Sequence, residues 1–271
     1  MSDPNVEYPL LEEKTFSFTE NIKISYILSD GAKNITVVFI HGLGSSKFDF
    51  LHSFDYEKLC AYNLLVVDMV GHGNSSTPED FSYTIDDQAN VLLKLIEHLS
   101  LPEDIMVVGH SMAGPVAIKL AELLENRAIG MIYVEGNLDE NDCFLSNNIV
   151  TSYTFEDWLR DGFETFVDML KQDPESFYYV SNFQKAGALT TYLSSLSVVK
   201  ESTEGKLLER LMALSIPVLV IFGENNKGKF TSEEKLAEKF PIVYIPQSSH
   251  DMMHENPDKF YDTIIDFLSQ Y

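Results

Sequence analysis

Short apolar runs recur along the chain and alternate with longer amphipathic segments. The runs have the length of strands and are rich in Val and Ile, which favours β-structure. They predict eight strands, at residues 15–19, 22–27, 36–40, 64–68, 105–109, 128–135, 217–223 and 242–246. The amphipathic segments at residues 85–99, 113–124 and 259–270 repeat their apolar positions with helical spacing and predict helices.

The order of these elements predicts an α/β fold. The first two strands are separated by a short turn, which is typical of an antiparallel hairpin. From residue 36 onward strands and helices alternate, and this alternation predicts a mostly parallel eight-stranded sheet that is covered on both faces. In such sheets, ligands bind at the carboxyl ends of the strands.

The segment at residues 136–213 breaks this alternation, because no strand pattern occurs in it. Helices are predicted at residues 154–172, 187–200 and 204–214, the first with Thr154 as its N-cap. The domains expected are a core at residues 1–135 and 214–271 and a helical cap, or lid, at residues 136–213. The cap is rich in aromatic residues, which predicts an enclosed, apolar site.

Composition limits the partners that the chain can have. The sequence has 271 residues and a net charge of −23, from 42 acidic against 19 basic residues, and such a surface repels nucleic acid and anionic membranes. Cys60 and Cys143 have no metal-ligand spacing. The N-terminal segment "MSDPNVEYPLLEEK" lacks the pattern of a signal peptide, so a cytoplasmic location is expected.

The stretch "VVGHSMAG" places Ser111 between a predicted strand and a predicted helix. A serine at such a turn is held in a strained backbone conformation that exposes its hydroxyl above the sheet. A glycine-rich turn that serves only packing can produce the same five-residue pattern, so the stretch alone does not establish a nucleophile.

Four stretches in order, "FIHGLGSS", "DMVGHGNSS", "GHSMAG" and "SSHDMMHENP", give the chain a resemblance to the α/β-hydrolase superfamily over nearly its whole length. The resemblance implies Ser111 as nucleophile and His250 as general base. It also implies an oxyanion hole formed by the N–H groups of Leu43 and Met112. We expect the side chains of Leu43, Met112 and Trp158 to line the substrate pocket.

The remaining histidines have simpler interpretations. In the superfamily, a histidine at the position of His41 holds the loop, and His72 and His110 correspond to packing positions. His254 is expected to be a surface or loop residue.

The acid of the triad is where the sequence departs most from the superfamily pattern. Most of the superfamily has an aspartate in a G-x-x-D stretch after the seventh strand, but here Gly223 is followed by Glu224, Asn225 and Asn226. In some relatives a glutamate ends the preceding strand instead, and here that residue is Glu135. We expect Glu135 to be the acid, with Glu224 as the next choice. The alternative is that Glu135 makes contacts within the hinge of the cap.

The function expected is a serine hydrolase that cleaves small or aromatic, largely uncharged carboxylic esters through an acyl-enzyme. It is expected to need no metal or organic cofactor and to act on a small molecule as a monomer or homodimer. A carbon–carbon bond hydrolase, a lactonase and a hydroxynitrile-lyase-like enzyme share these motifs. Asn226 leaves open a non-catalytic small-molecule receptor. A serine at this turn excludes haloalkane dehalogenases and epoxide hydrolases, which need a carboxylate nucleophile.

Overall fold

The structure is a computed structural model that describes residues 11–172, 177–204 and 206–271. Residues 1–10, which belong to the N-terminal segment used for the predicted location, lie outside the described residues. Gly205, within the last helix predicted for the cap, also lies outside them.

A single eight-stranded sheet forms the centre of the molecule, with the strand order β1-β2-β4-β3-β5-β6-β7-β8. β2 is antiparallel to both of its neighbours, β1 and β4, whereas the other neighbouring pairs are parallel. The strands are β1 (Glu13–Ser17), β2 (Lys23–Ser29), β3 (Ile35–Ile40), β4 (Asn63–Val67), β5 (Asp104–His110), β6 (Ala128–Val134), β7 (Val218–Gly223) and β8 (Ile242–Ile245). All eight predicted strands are confirmed, and so is the mostly parallel sheet.

The central strands are buried on both faces. Every residue of β3 is buried, and successive side chains enter different apolar clusters on the two sides of the sheet. Val38 and Ile40 belong to one cluster, and Val37 and Phe39 to the other. This two-sided burial explains why these strands are continuous apolar runs rather than alternating ones.

Helices flank the sheet and join its strands. Outside the segment between β6 and β7 they are α1 (Ile85–His98), α2 (Ala113–Leu124), α8 (Glu233–Ala237), α9 (Met252–Glu255) and α10 (Pro257–Leu268). The three helices predicted for this part of the chain correspond to α1, α2 and α10. Among the residues that the structure describes, none of the helices combines the length and the apolar character that a membrane span requires.

All the regular elements of the segment between β6 and β7 are helices, as predicted. It contains α3 (Phe144–Ser152), α4 (Phe155–Asp157), a π-helical turn (Trp158–Gly162), α5 (Phe163–Gln172), α6 (Phe177–Thr203) and α7 (Lys206–Ala213). Thr154 is the N-cap of α4 and accepts a hydrogen bond from the N–H of Asp157, as expected. The sequence did not predict α3 or the first part of α6.

The strand order reverses between β3 and β5, which are adjacent although β4 separates them in sequence. Chain connections leave this point toward opposite edges of the sheet, so a crevice forms at the carboxyl ends of the two strands. The loop after β3 and the turn after β5 both border this crevice.

Candidate active site

Ser111 lies in the turn between β5 and α2 with a left-handed backbone conformation, at φ 55°. A residue other than glycine in this region costs about 1–3 kcal/mol and persists only where its surroundings hold it. Here the N–H of Ser111 donates to the carbonyl of Val134 at 2.9 Å, and its own carbonyl accepts from the N–H of Gly114 at 2.8 Å. The end of β6 and the first turn of α2 therefore hold the serine in the strained position.

Gly109 allows α2 to begin directly above β5. A Cβ atom at Gly109 would lie 2.6 Å from the carbonyl oxygen of Ala113 and 2.6 Å from the Cβ of Ala117. No side chain fits at that distance, so the glycine permits the sharp change from strand to helix that exposes Ser111.

The loop after β3 packs against this turn. A Cβ atom at Gly42 would lie 3.1 Å from the Cβ of Ser111. Within the described part of the chain, no protein acceptor is assigned to the N–H of Leu43 or to that of Met112. Two backbone donors next to the serine are thus available to another acceptor.

Helix α6 fixes the far side of the same loop. The hydroxyl of Tyr179 donates to the carbonyl of Leu43 at 2.6 Å. Gly44 has φ 65°, and a Cβ atom there would lie 2.3 Å from Cδ2 of Phe183. Burial, together with the charges of Asp251 and Asp49, raises the pKa of Tyr179 well above its usual value, so the hydroxyl keeps its proton and remains a donor.

His250 and Glu135 form a hydrogen-bonded pair across 115 positions of the sequence, with 2.7 Å between Nδ1 and Oε2. Glu135 follows β6 with φ 39°, and its side chain is 0% exposed, whereas that of His250 is 43% exposed. Because a carboxylate accepts, Nδ1 carries the proton, and the unprotonated nitrogen of a neutral His250 is Nε2.

Further donors hold the carboxylate of Glu135. The N–H of Gly223 donates to Oε1 at 2.6 Å, and Nδ2 of Asn226 lies 3.2 Å from Oε1 and 3.0 Å from Oε2. Glu224, the next choice for the acid, is exposed and accepts from the N–H of Gln247 at 3.1 Å. The structure therefore brings Glu135, and not Glu224, to His250.

His250 and His110, the residue before Ser111, have opposite charge preferences. Burial alone lowers the pKa of His250, but the hydrogen bond and charge of Glu135, with the charges of Asp251 and Glu255, raise it to about 9. Burial and the neighbouring His250 lower the pKa of His110 to about 3. His110 is thus neutral, and its Nε2 donates to the carbonyl of His250 at 3.0 Å.

A cavity of about 480 Å³ opens beside Ser111 and His250. Part of its wall is apolar or aromatic and consists of Leu43, Phe144, Leu145, Leu170, Tyr179 and Phe230. Leu43 lines the cavity as expected. Four of the six belong to helices of the segment between β6 and β7, so this segment covers the cavity beside Ser111.

The structure does not bring Met112 and Trp158 to the cavity wall, in contrast to the sequence-based expectation. Trp158 is fully buried, and its Nε1–H donates to the carbonyl of Ala188 at 2.9 Å. Its ring packs against Tyr153, Phe163, Phe166 and Tyr192. Trp158 therefore belongs to the core of the helical segment, because its ring and its N–H both find partners there.

The rest of the cavity wall is polar, although the aromatic residues of residues 136–213 led us to expect an apolar site. It contains the carboxyl groups of Asp49, Asp142, Asp251 and Glu255, whereas Lys229 is the sole lysine or arginine among the described lining residues. Asp251 is the N-cap of α9, but its side chain makes no capping hydrogen bond. The cavity thus combines an apolar part with an acidic part.

His254 also lines the cavity, and the expectation that it is a simple surface residue is wrong. Its Nε2 lies 3.3 Å from Oδ1 of Asp49, whose Oδ2 accepts from the hydroxyl of Ser45. Burial raises the pKa of Asp49, but these two partners outweigh it and hold the pKa below its usual value. The sequence carried no signal for this pair, since 205 positions separate its members.

Comparisons with known proteins agree with this architecture. A family profile described as "Alpha/beta hydrolase family" matches residues 37–263. Lipase 3 of Moraxella sp. (strain TA144) is 33% identical over 111 residues, which are 41% of this chain and 35% of the lipase. The match therefore spans about a third of the length of that relative.

Two further similar proteins align with most of the chain. Proline iminopeptidase of Saccharolobus solfataricus is 23% identical over 276 residues, covering 88% of this chain and 86% of that protein. A structure from work on carboxylesterases of the ammonia-oxidizing Thaumarchaeon Nitrososphaera gargenis has a TM-score of 0.79 and 16% identity, covering 94% of this chain and 98% of its own. At this identity the structural likeness concerns the fold alone.

Proposed function

Because the chain belongs to the alpha/beta hydrolase family, we propose that it is a serine hydrolase that cleaves carboxylic esters through an acyl-enzyme intermediate. Ser111 is the nucleophile, His250 the general base and Glu135 the acid that orients His250. The N–H groups of Leu43 and Met112 form the oxyanion hole.

The observation that carries the proposal is the 2.7 Å hydrogen bond between Nδ1 of His250 and the fully buried carboxylate of Glu135. A buried carboxylate needs partners, and this one directs the basic nitrogen of His250 away from itself. When His250 becomes positively charged during the reaction, the negative charge of the fully buried Glu135 stabilises it.

The reaction has two halves. First, the Oγ of Ser111 attacks the ester carbonyl carbon while Nε2 of His250 takes the hydroxyl proton, and the electron pair of the C=O bond moves onto oxygen. The two N–H groups donate to this oxyanion. The tetrahedral species then collapses, the C–O bond to the alcohol breaks, and the alcohol leaves with the proton held by His250.

In the second half, His250 takes a proton from water, and the resulting hydroxide equivalent attacks the acyl carbon. The bond to Oγ of Ser111 breaks, His250 returns the proton to that oxygen, and the free acid leaves. The cycle consumes one water and restores the protein.

The cavity supports a small or aromatic, uncharged acyl group. Its volume of about 480 Å³ suits a small substrate, and its apolar wall suits uncharged groups. We further propose that residues 136–213 act as a cap, since Leu170 and Tyr179 from this segment line the cavity. The relatives named lipase, iminopeptidase and carboxylesterase are consistent with acyl transfer to water.

The test combines hydrolysis of p-nitrophenyl acetate and butyrate with labelling by a fluorophosphonate probe. We expect the native chain to be active and labelled, and both properties to disappear in Ser111→Ala. Ser146→Ala removes a different hydroxyl from the cavity wall and is the matched control, which should still be labelled. Absence of both hydrolysis and labelling in the native chain would contradict the proposal and favour a receptor.

A lactone is a cyclic ester, and the same steps open it without release of a separate alcohol. The substrate panel therefore includes lactones, together with vinylogous diketones and cyanohydrins. Turnover of a diketone or cyanohydrin in preference to every ester would replace esterase activity with carbon–carbon bond cleavage.

A further inference from the structure

Asn226 connects the proposed triad acid to a surface cation. Its Nδ2 donates to the carboxylate of Glu135, 3.2 Å from Oε1 and 3.0 Å from Oε2. Its Oδ1 accepts from the Nζ of Lys229 at 3.0 Å. A continuous series of contacts thus runs from Lys229 through Asn226 and Glu135 to His250.

The amide suits this place because the carboxylate of Glu135 is fully buried. A buried carboxylate remains ionised when donors surround it, and each donor to a charged group stabilises the ionised form. A second carboxylate at residue 226 would lie about 3 Å from Glu135. Two like charges at that distance repel each other, and together they would attract a positively charged His250 more strongly than Glu135 alone does.

The orientation of the amide follows from Lys229. The ammonium group can only donate, so it holds the oxygen of Asn226 on its side and leaves Nδ2 directed at Glu135. Lys229 also adds a positive charge on the outer side of the pair.

We propose that Asn226, oriented by Lys229, is a positioning residue that keeps Glu135 ionised and aligned with His250 and limits how tightly His250 retains its proton. This inference rests on the proposed function, in which Glu135 is the triad acid.

The experiment compares Asn226→Ala, Asn226→Asp and Lys229→Gln with the native chain. The matched control is Asn225→Asp, the same chemical change at an exposed neighbour whose Nδ2 contacts Ser249 rather than Glu135. For each protein, kcat and KM for p-nitrophenyl butyrate are measured across pH. The titration of His250 is followed by NMR at its Cε1–H, which does not depend on turnover.

For Asn226→Ala we expect kcat to fall about tenfold with KM within about twofold, because one charge-assisted contact to Glu135 is lost. For Asn226→Asp and Lys229→Gln we expect the titration midpoint of His250 to rise, by about one pH unit in the first and less in the second, since each change makes the surroundings of His250 more negative. In Asn225→Asp, kcat should stay within about twofold and the midpoint should shift less than in Asn226→Asp.

The inference is overturned if the Asn226 variants have the kcat and the His250 midpoint of Asn225→Asp. If a variant at residue 226 does not fold, the Lys229→Gln midpoint decides, because Lys229 is exposed; an unchanged midpoint there overturns the inference. If the native chain shows neither hydrolysis nor fluorophosphonate labelling, the proposed function itself is contradicted. If the native chain is active but substitutions at residue 226 change neither kcat nor the His250 midpoint, only the present inference fails.

Discussion

At the scale of single residues, the proposed mechanism requires His250 to accept a proton from Ser111 although Glu135 holds the pKa of His250 at about 9. Below that pH most of the free protein carries a charged His250, which cannot act as a base. The protonation of one side chain therefore links the catalytic rate to pH.

The first prediction is that kcat/KM for p-nitrophenyl butyrate rises tenfold per pH unit below about pH 9 and levels off above it. The same group affects stability. Since the pKa is raised in the folded state, the contribution of His250 to stability is complete below its ordinary value of 6.5 and is lost as the pH rises through about 9. A pH–rate profile that is already flat from pH 6 would contradict the prediction.

The second prediction concerns Glu135→Gln, which keeps the shape of the side chain and removes its charge. We expect kcat to fall by about two to four orders of magnitude with KM little changed, because His250 loses both its orientation and its counter-charge. The midpoint of the pH profile should fall, since burial alone lowers the pKa of His250. Glu224→Gln is the control, and its steady-state kinetics should match those of the native chain.

At the scale of elements, the sequence predicted the bounds of a strand well where every residue of that strand is buried. β3 and β7 are buried at every residue and were predicted to within one residue at each end. Glu135 was singled out because it ends such a run where some relatives have a glutamate, and the structure brings it to His250. Gly187 was predicted to start a helix, and in the structure its non-helical backbone, with φ 77° and ψ 172°, divides α6 into two helical parts, the second of which begins there. The first part was not predicted.

The sequence was least informative for contacts between distant segments. Asp49 and His254 gave no local pattern, and Tyr179 was one of many aromatic residues in the cap. Trp158 was assigned to the wall because aromatic side chains suit a pocket, but its N–H donates to an acceptor in the core of the helical segment between β6 and β7. Such partner choices depend on how helices pack, which periodicity does not determine.

The third prediction follows from the place of Trp158. Trp158→Phe removes the donor to the carbonyl of Ala188 and leaves a gap among the packed rings, so the free energy of unfolding should fall by about 1–3 kcal/mol. The ratio of kcat/KM for the butyrate and acetate esters should not change, because Trp158 is not part of the wall. Chemical denaturation and steady-state kinetics measure the two effects, and a changed ester preference with unaltered stability would contradict the assignment.

At the scale of the whole molecule, the charge of −23 extends into the cavity through the carboxyl groups of Asp49, Asp142, Asp251 and Glu255. Lys229 and a charged His250 offset part of the negative charge in the cavity, but acidic groups exceed basic ones in the molecule as a whole. Such an excess raises the local concentration of oppositely charged molecules, and salt weakens this effect. The electrostatic field of the protein thus favours cationic over neutral substrates of the same shape.

The fourth prediction uses acetylthiocholine and its uncharged isostere 3,3-dimethylbutyl thioacetate, which differ in a single charge. At low ionic strength we expect kcat/KM to be about tenfold higher for the cation, and we expect the ratio to approach one in about 1 M salt. Released thiol is measured for both substrates. A ratio that is the same at every salt concentration would contradict electrostatic attraction.

The hydrogen bond from Tyr179 to the carbonyl of Leu43 joins two parts of the chain that 136 positions separate. Any displacement of α6 from the sheet breaks this bond and frees the loop that carries the N–H of Leu43. The positions of α6 and of the loop are therefore coupled, and a ligand that orders the loop also favours the position of α6 in which Tyr179 contacts Leu43. In hydrogen exchange, a bound ligand should slow the amides of α6 and those of residues 42–45 together, and Tyr179→Phe should uncouple them.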